Sequence, residues 1–221
     1  MNYEVAGAGS ISGIVSANKV LKNTYLLLSM TLIFSAVMAS VSVAMAVPPM
    51  VAMGCSLVAL VMVFLLPKFE NSSAGIGFVF AFTGLLGFSL GPMLSYYLAV
   101  PGGGQMIAQA LGGTGVVFLG LSGYALTTKR DFSFMRGFLV AGLITIIVAG
   151  IANIFLQMPI LHVTISSVAV LVFSGLILYD TQRIARGEET NYIRATVSLY
   201  LNIHNLFVHM LSLIGAFSGD D

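Results

Sequence analysis

Tryptophan is absent from this chain, cysteine occurs once, and charged residues make up only 8% of its 221 positions. Each scarcity excludes something. A soluble domain carries about 25% charged residues, so a chain this poor in charge and 58% hydrophobic is expected to be an integral membrane protein. Its mean hydropathy of +1.01 points the same way. The lone Cys55 cannot close an internal disulfide and lies in an apolar run, where a thiol serves packing. A net charge of +1, with no run of basic residues, argues against a nucleic-acid partner. Without tryptophan, tyrosines such as Tyr25, Tyr96, Tyr97 and Tyr192 are the expected anchors at the membrane surface.

What the chain does contain is apolar runs, at about 24–47, 50–66, 75–99, 106–127, 134–156, 160–180 and 194–216. Each is close to the roughly 20 residues that a helix needs to cross the hydrocarbon. The expectation is seven spans in a membrane domain over 22–217, between a flexible N-terminal tail at 1–21 and a short C-terminal tail at 218–221. The tail at 1–21 has no apolar run of its own and so does not read as a signal peptide. In the third span, Gly84, Gly87 and Gly91 are spaced to let a neighbouring backbone come close, and Pro92 should kink the helix. The GGTG at 112–115 sits within an apolar run with no Lys-Ser/Thr after it, so it is no phosphate loop. Asn153, a lone amide in the fifth span, is expected to bond to a neighbouring helix.

Charge sets an expected orientation. With seven spans, the N-terminal tail and the loops 67–74, 128–133 and 181–193 share one side. Those segments and the adjoining helix ends hold Lys19, Lys22, Lys68, Lys129, Arg130, Arg136, Arg183, Arg186 and Arg194, which are all nine basic residues. The positive-inside rule then gives a cytoplasmic N-terminus and an outward C-terminus.

The last span carries Arg194, Ser198, Asn202, Asn205, His209 and Ser212 in otherwise apolar sequence. At about 100° per residue, these six fall within an arc of roughly 80°. Such a stripe is costly against hydrocarbon and should face protein or water. The fold expected is therefore an all-α bundle with a central seventh helix wrapped by the other six. The preceding span ends in Leu178-Tyr179-Asp180, about two turns before Gly187, which reads as the helix C-cap. Asp180 is either an interfacial acid paired with Arg183 or Arg194, or a proton- or cation-responsive group facing the stripe. Asn202 lies about 12 Å along the last helix from Arg194 and could reach Asp180 from there. His209 is a further, deeper candidate, whereas His204 falls off the stripe and is read as packing.

Catalysis has little to stand on. The chain has neither HExxH nor GxSxG, and the following helix lacks the second aspartate that an intramembrane aspartyl protease would need beside Asp180. The expectation is a non-enzyme with no metal site, no cofactor and no small-molecule substrate.

A resemblance enters through blocks that occur in order along nearly the whole chain. They are NKVLKNTY, FTGLLGFSLGP, ALGGTG, KRDFSFM, ANIFLQMP, LILYD and ETNYIRATVSLYLNIHNLF. Together they resemble the Bax inhibitor family of seven-helix membrane proteins, and most closely its bacterial YccA-like subgroup. The resemblance implies a bacterial inner-membrane protein that binds and restrains FtsH, a membrane-anchored ATP-dependent protease. As an alternative it implies a pH-sensitive calcium leak, with Ca2+ passing transiently, gated by two aspartates. The first of these corresponds to Asp180, but the second falls on Asn202. The family's arginine near the end of the second span also has no clear counterpart here, Lys68 being the nearest basic residue.

Overall fold

The computed structural model describes residues 4–218, with side chains from residue 16 onward. Among the described residues all regular structure is helical: α1 (Glu4–Ala44), α2 (Pro49–Phe69), α3 (Gly75–Ser89), α4 (Gly91–Leu98), α5 (Gly103–Thr127), α6 (Met135–Leu156), α7 (Pro159–Ala185) and α8 (Tyr192–Ser218). Seven stretches are long and apolar enough to cross a membrane, with α3 and α4 together forming the third, Gly75–Leu98. The protein is an all-α, seven-span membrane protein. Its polarity is arranged accordingly. Large apolar side chains such as Met50, Phe64, Phe155 and Leu171 are exposed, while Thr31, Ser35, Thr83 and Thr196 are buried. In a hydrocarbon solvent the polar groups are the ones that need protein partners.

Local chemistry sets the helix limits. Pro49 opens α2 at its first turn, where a missing N–H costs nothing. The third span breaks at Leu90, immediately before Gly91-Pro92, as expected from the proline. Gly187 takes a positive φ of 74° two residues past α7, and its N–H bonds the Ile184 carbonyl at 3.0 Å, closing that helix. Helix α1 already runs through the segment expected as a tail, from Glu4, while the membrane-length stretch begins only at Ser16. One expectation comes out differently. Asn153 does not bridge helices: its Oδ1 accepts the Met158 N–H at 3.1 Å, capping the connection that follows its own helix. The short tail expected at 218–221 lies, Ser218 apart, outside the described residues.

The chain forms two compact units, Met1–Val100 with Arg183–Tyr200, and Pro101–Gln182 with Leu201–Asp221. In the first, α1 packs on α3 and α4 through the glycines. A Cβ at Gly87 would collide with the Ser35 carbonyl, one at Gly84 with the Phe34 ring, and one at Gly91 with the Ser42 hydroxyl. The buried hydroxyls Thr24, Thr31, Ser35 and Ser42 lie at helical spacing on one face of α1. Tyr200 meets that face, its hydroxyl 2.6 Å from Ser35 Oγ and donating to the Thr83 carbonyl at 3.1 Å. In the second unit, Gly142 receives Val172, Gly175 receives Leu139, and Gly113 lies against Met210. Close helix packing through small residues thus builds both units. α8 contributes to each, and 44% of its membrane-length window is buried, against at most 33% for any other span.

Candidate functional site

The second unit holds the acid that the sequence singles out. Asp180 sits near the C-terminal end of α7, half-buried, where the helix's own carbonyls offer a carboxylate nothing. Its carboxylate is met from α8: Asn202 Nδ2 donates to Asp180 Oδ2 at 2.8 Å. Asn202 is itself buried, with its amide N–H turned to the acid. A hydrogen bond to a charged group contributes about 1.5–3 kcal/mol when well formed. Next to Asp180, Thr181 lies 3.4 Å, hydroxyl to hydroxyl, from Ser122 of α5. The pairing of Asp180 with Asn202 considered from sequence is therefore present, as one carboxylate and one amide.

The rest of the stripe divides. Asn202, Asn205, His209 and Ser212 belong to the second unit, Arg194 and Ser198 to the first. Asn205 turns back on its own helix, donating to the Leu201 carbonyl at 2.8 Å. His209 Nδ1 lies 3.2 Å from the Ser166 hydroxyl, and its ring stacks on Phe173 with centroids 6.1 Å apart. Ser198 and Ser212 are half-buried. No group of three or more potential metal ligands comes together among the described residues.

In the first unit, Arg194 begins the stripe and holds a residue the sequence reading missed. Its guanidinium grips the carboxylate of Glu70 through both oxygens, Nε to Oε2 at 2.9 Å and Nη2 to Oε1. This is the two-pronged geometry that makes arginine–carboxylate pairs strong. Glu70, one residue past α2, is buried, and the hydrogen bond from Arg194 holds its carboxyl below the ordinary value, outweighing the opposite push from burial. Glu189 stands 3.8 Å from Arg194 Nη1 and 3.9 Å from Arg183 Nη2, and Arg183 Nε lies 4.0 Å from Glu188. Asn191 ties the corner together. It donates to the Glu70 carbonyl at 3.0 Å and the Asn71 side chain at 2.9 Å, while its own oxygen accepts the Ile193 and Arg194 N–H groups. An asparagine just before an amphipathic run is a helix-start signal, and Asn191 could have been read as one. The partner, Glu70, is 124 positions from Arg194 and had no such signal.

Seven apolar helices, glycine-mediated packing, and an aspartate near the end of one span bonded to an amide of the last mark the chain as a polytopic membrane protein. The chain belongs to the Bax inhibitor family, whose model, described as "Inhibitor of apoptosis-promoting Bax1", matches residues 17–219. Among its relatives, an uncharacterized membrane protein of Vibrio cholerae is 56% identical over 213 residues, 96% of each chain. The Escherichia coli K12 protein named "Modulator of FtsH protease YccA" is 47% identical over 221 residues, covering both chains completely. Its counterpart in another Escherichia coli strain, equally identical, is named "Inner membrane protein YccA".

Proposed function

We propose that this protein is a non-catalytic regulator in the bacterial inner membrane that binds the protease FtsH and restrains it. The observation that carries this reading is the full-length, 47% identity to a relative named as a modulator of that protease. The site is compatible with a regulator: the residue that meets Asp180 from α8 is an amide, which helps hold the acid in place and takes up no proton from it. The leak reading calls for two carboxylates at this place, and Asn202 supplies an amide where the second would stand. Overproduction should lengthen the half-life of membrane substrates of FtsH in growing cells, and FtsH should co-purify from detergent-solubilised native membranes. Unchanged substrate turnover with no FtsH recovered would end the proposal.

The orientation belongs to the same reading, since a cytoplasmic face carrying the basic loops is the one a protease with a cytoplasmic ATP-driven engine would meet. In a background with Cys55 replaced, a cysteine at Asp221 should label from outside intact cells with an impermeant thiol reagent, and one at Ser72 should not. Labelling at Ser72 alone would reverse the topology.

A further inference from the structure

The connection between α5 and α6, residues 128–134, carries the KRDFSF block and takes no part in the contact of Asp180 with Asn202. It has an unusual surface for a loop at the end of a membrane span. Lys129, Arg130 and, just inside α6, Arg136 are exposed. Phe134 is 80% exposed and Phe138, one turn further on, 72%. Residues four apart share a helix face, so the two side chains lie on the same side at the start of α6.

The loop is also held in one shape. Gln182 of α7, buried, clamps it with a single amide: Nε2 donates to the Arg130 carbonyl at 2.6 Å, and Oε1 accepts the Phe132 N–H at 2.9 Å. Asp131 accepts the backbone N–H and the hydroxyl of Ser133 at 2.9 and 2.7 Å. Phe132 turns inward to pack with Ala125 and Leu178, and its ring lies 5.9 Å from Tyr124. With Phe132 fixed inside, the neighbouring cations and Phe134 are presented outward on a set backbone.

We propose that residues 128–134, with Arg136 and Phe138, form a preorganised seat for the headgroup of an anionic phospholipid. The two exposed rings lie at the start of a membrane span, where they can enter the acyl region while the basic side chains stay at headgroup level. Charge selects the lipid. Three basic side chains stand against one carboxylate, that of Asp131, so the loop carries an excess of positive charge whatever pairs form within it. A phosphodiester without its own ammonium group offsets part of that excess, and a zwitterionic headgroup offsets none. An acidic protein segment would answer the cations but leave both rings uncovered, so the lipid is the better fit.

The test uses the full chain in nanodiscs of equal parts phosphatidylglycerol and phosphatidylcholine, with retained lipid read by native mass spectrometry. Each basic residue at an anionic surface contributes about fivefold to binding. The triple variant Lys129→Gln, Arg130→Gln, Arg136→Gln should therefore lower the wild-type preference for phosphatidylglycerol about tenfold or more. All three side chains are exposed, and a normal melting temperature will confirm that the variant folds. Lys19→Gln with Lys22→Gln, equally exposed but in the first unit, should keep the preference. Phe134→Ser should reduce retention of both lipids. Equal losses from the Lys19/Lys22 variant would show a diffuse positive surface and overturn the seat, as would a wild type with no lipid preference. Binding of poly-glutamate through the same three residues, without that preference, would assign the surface to an acidic protein instead.

Discussion

Glu70 and Asp180 are two carboxylates near the ends of membrane helices, and the chain treats them differently. Glu70 is buried and gripped by a guanidinium through both oxygens. Asp180 is half-buried and receives a neutral amide from Asn202. A guanidinium brings its partner a full opposite charge, whereas an amide brings a neutral hydrogen-bond donor. The first arrangement is suited to fastening a corner of the fold. The second positions an acid with a neutral donor from the last helix.

The largest consequence should appear on removing the cation. Arg194→Ala strands a buried carboxylate and should destabilise the protein by about 3 kcal/mol, the low end for a broken buried pair because the arginine itself is half-exposed. Asn202→Ala removes one hydrogen bond to an acid that water can reach, and should cost about 1.5 kcal/mol. Thermal unfolding in detergent compares the two, and an Asn202 effect equal to that of Arg194 would erase the distinction. Between them should fall Gly87→Ala, whose added methyl meets backbone rather than a movable side chain, at about 2 kcal/mol.

Acid separates the two carboxylates further. Because the folded-state value of Glu70 lies below its ordinary value of 4.5, its contribution is fully present above that value and is lost as pH falls through the lowered one. The melting temperature of the wild type should therefore drop below about pH 4.5, and Glu70→Gln should flatten that drop. An identical acid profile in Glu70→Gln would mean that other groups carry it.

The smallest wild-type signal is expected in ion flux. Two carboxylates in contact share a proton and titrate together, and a carboxylate–amide pair does not. Calcium flux into liposomes containing the wild type should be weakly dependent on pH between about 6 and 8, a window in which an aspartate responds only if it is coupled or shifted. Asn202→Asp should strengthen the response, and adding Asp180→Asn should abolish it. A steep wild-type response that survives Asp180→Asn would move the sensing elsewhere, with His209 next to be tested.

Much of this was legible in the sequence because bilayer thickness and helix geometry act locally. Seven runs of sufficient length gave the spans, Pro92 marked the break in the third, and Gly187 marked the end of α7. Helical periodicity also brought Asn202 to the side that Asp180 occupies. The Glu70–Arg194 pair was not legible, since its partners are joined only by the way α2 and α8 pack, and Glu70 follows Pro67-Lys68 as if it began an exposed loop. Nor was the buried hydroxyl face of α1: isolated Ser and Thr in a membrane helix can bond their own backbone, as Ser29 and Ser40 do, and only packing separates them from Ser35. The stripe on the last helix was seen as one seam, but its members are divided between two units with different partners.

The central claim, restraint of a protease by a membrane protein with no catalysis of its own, is tested most directly with purified components. FtsH, a membrane substrate and this protein are reconstituted into the same proteoliposomes, with ATP, and substrate loss is followed over time. Degradation should slow in proportion to the amount of this protein present, while ATP hydrolysis without substrate continues. Degradation at the same rate as with an unrelated seven-span protein in its place would contradict the account.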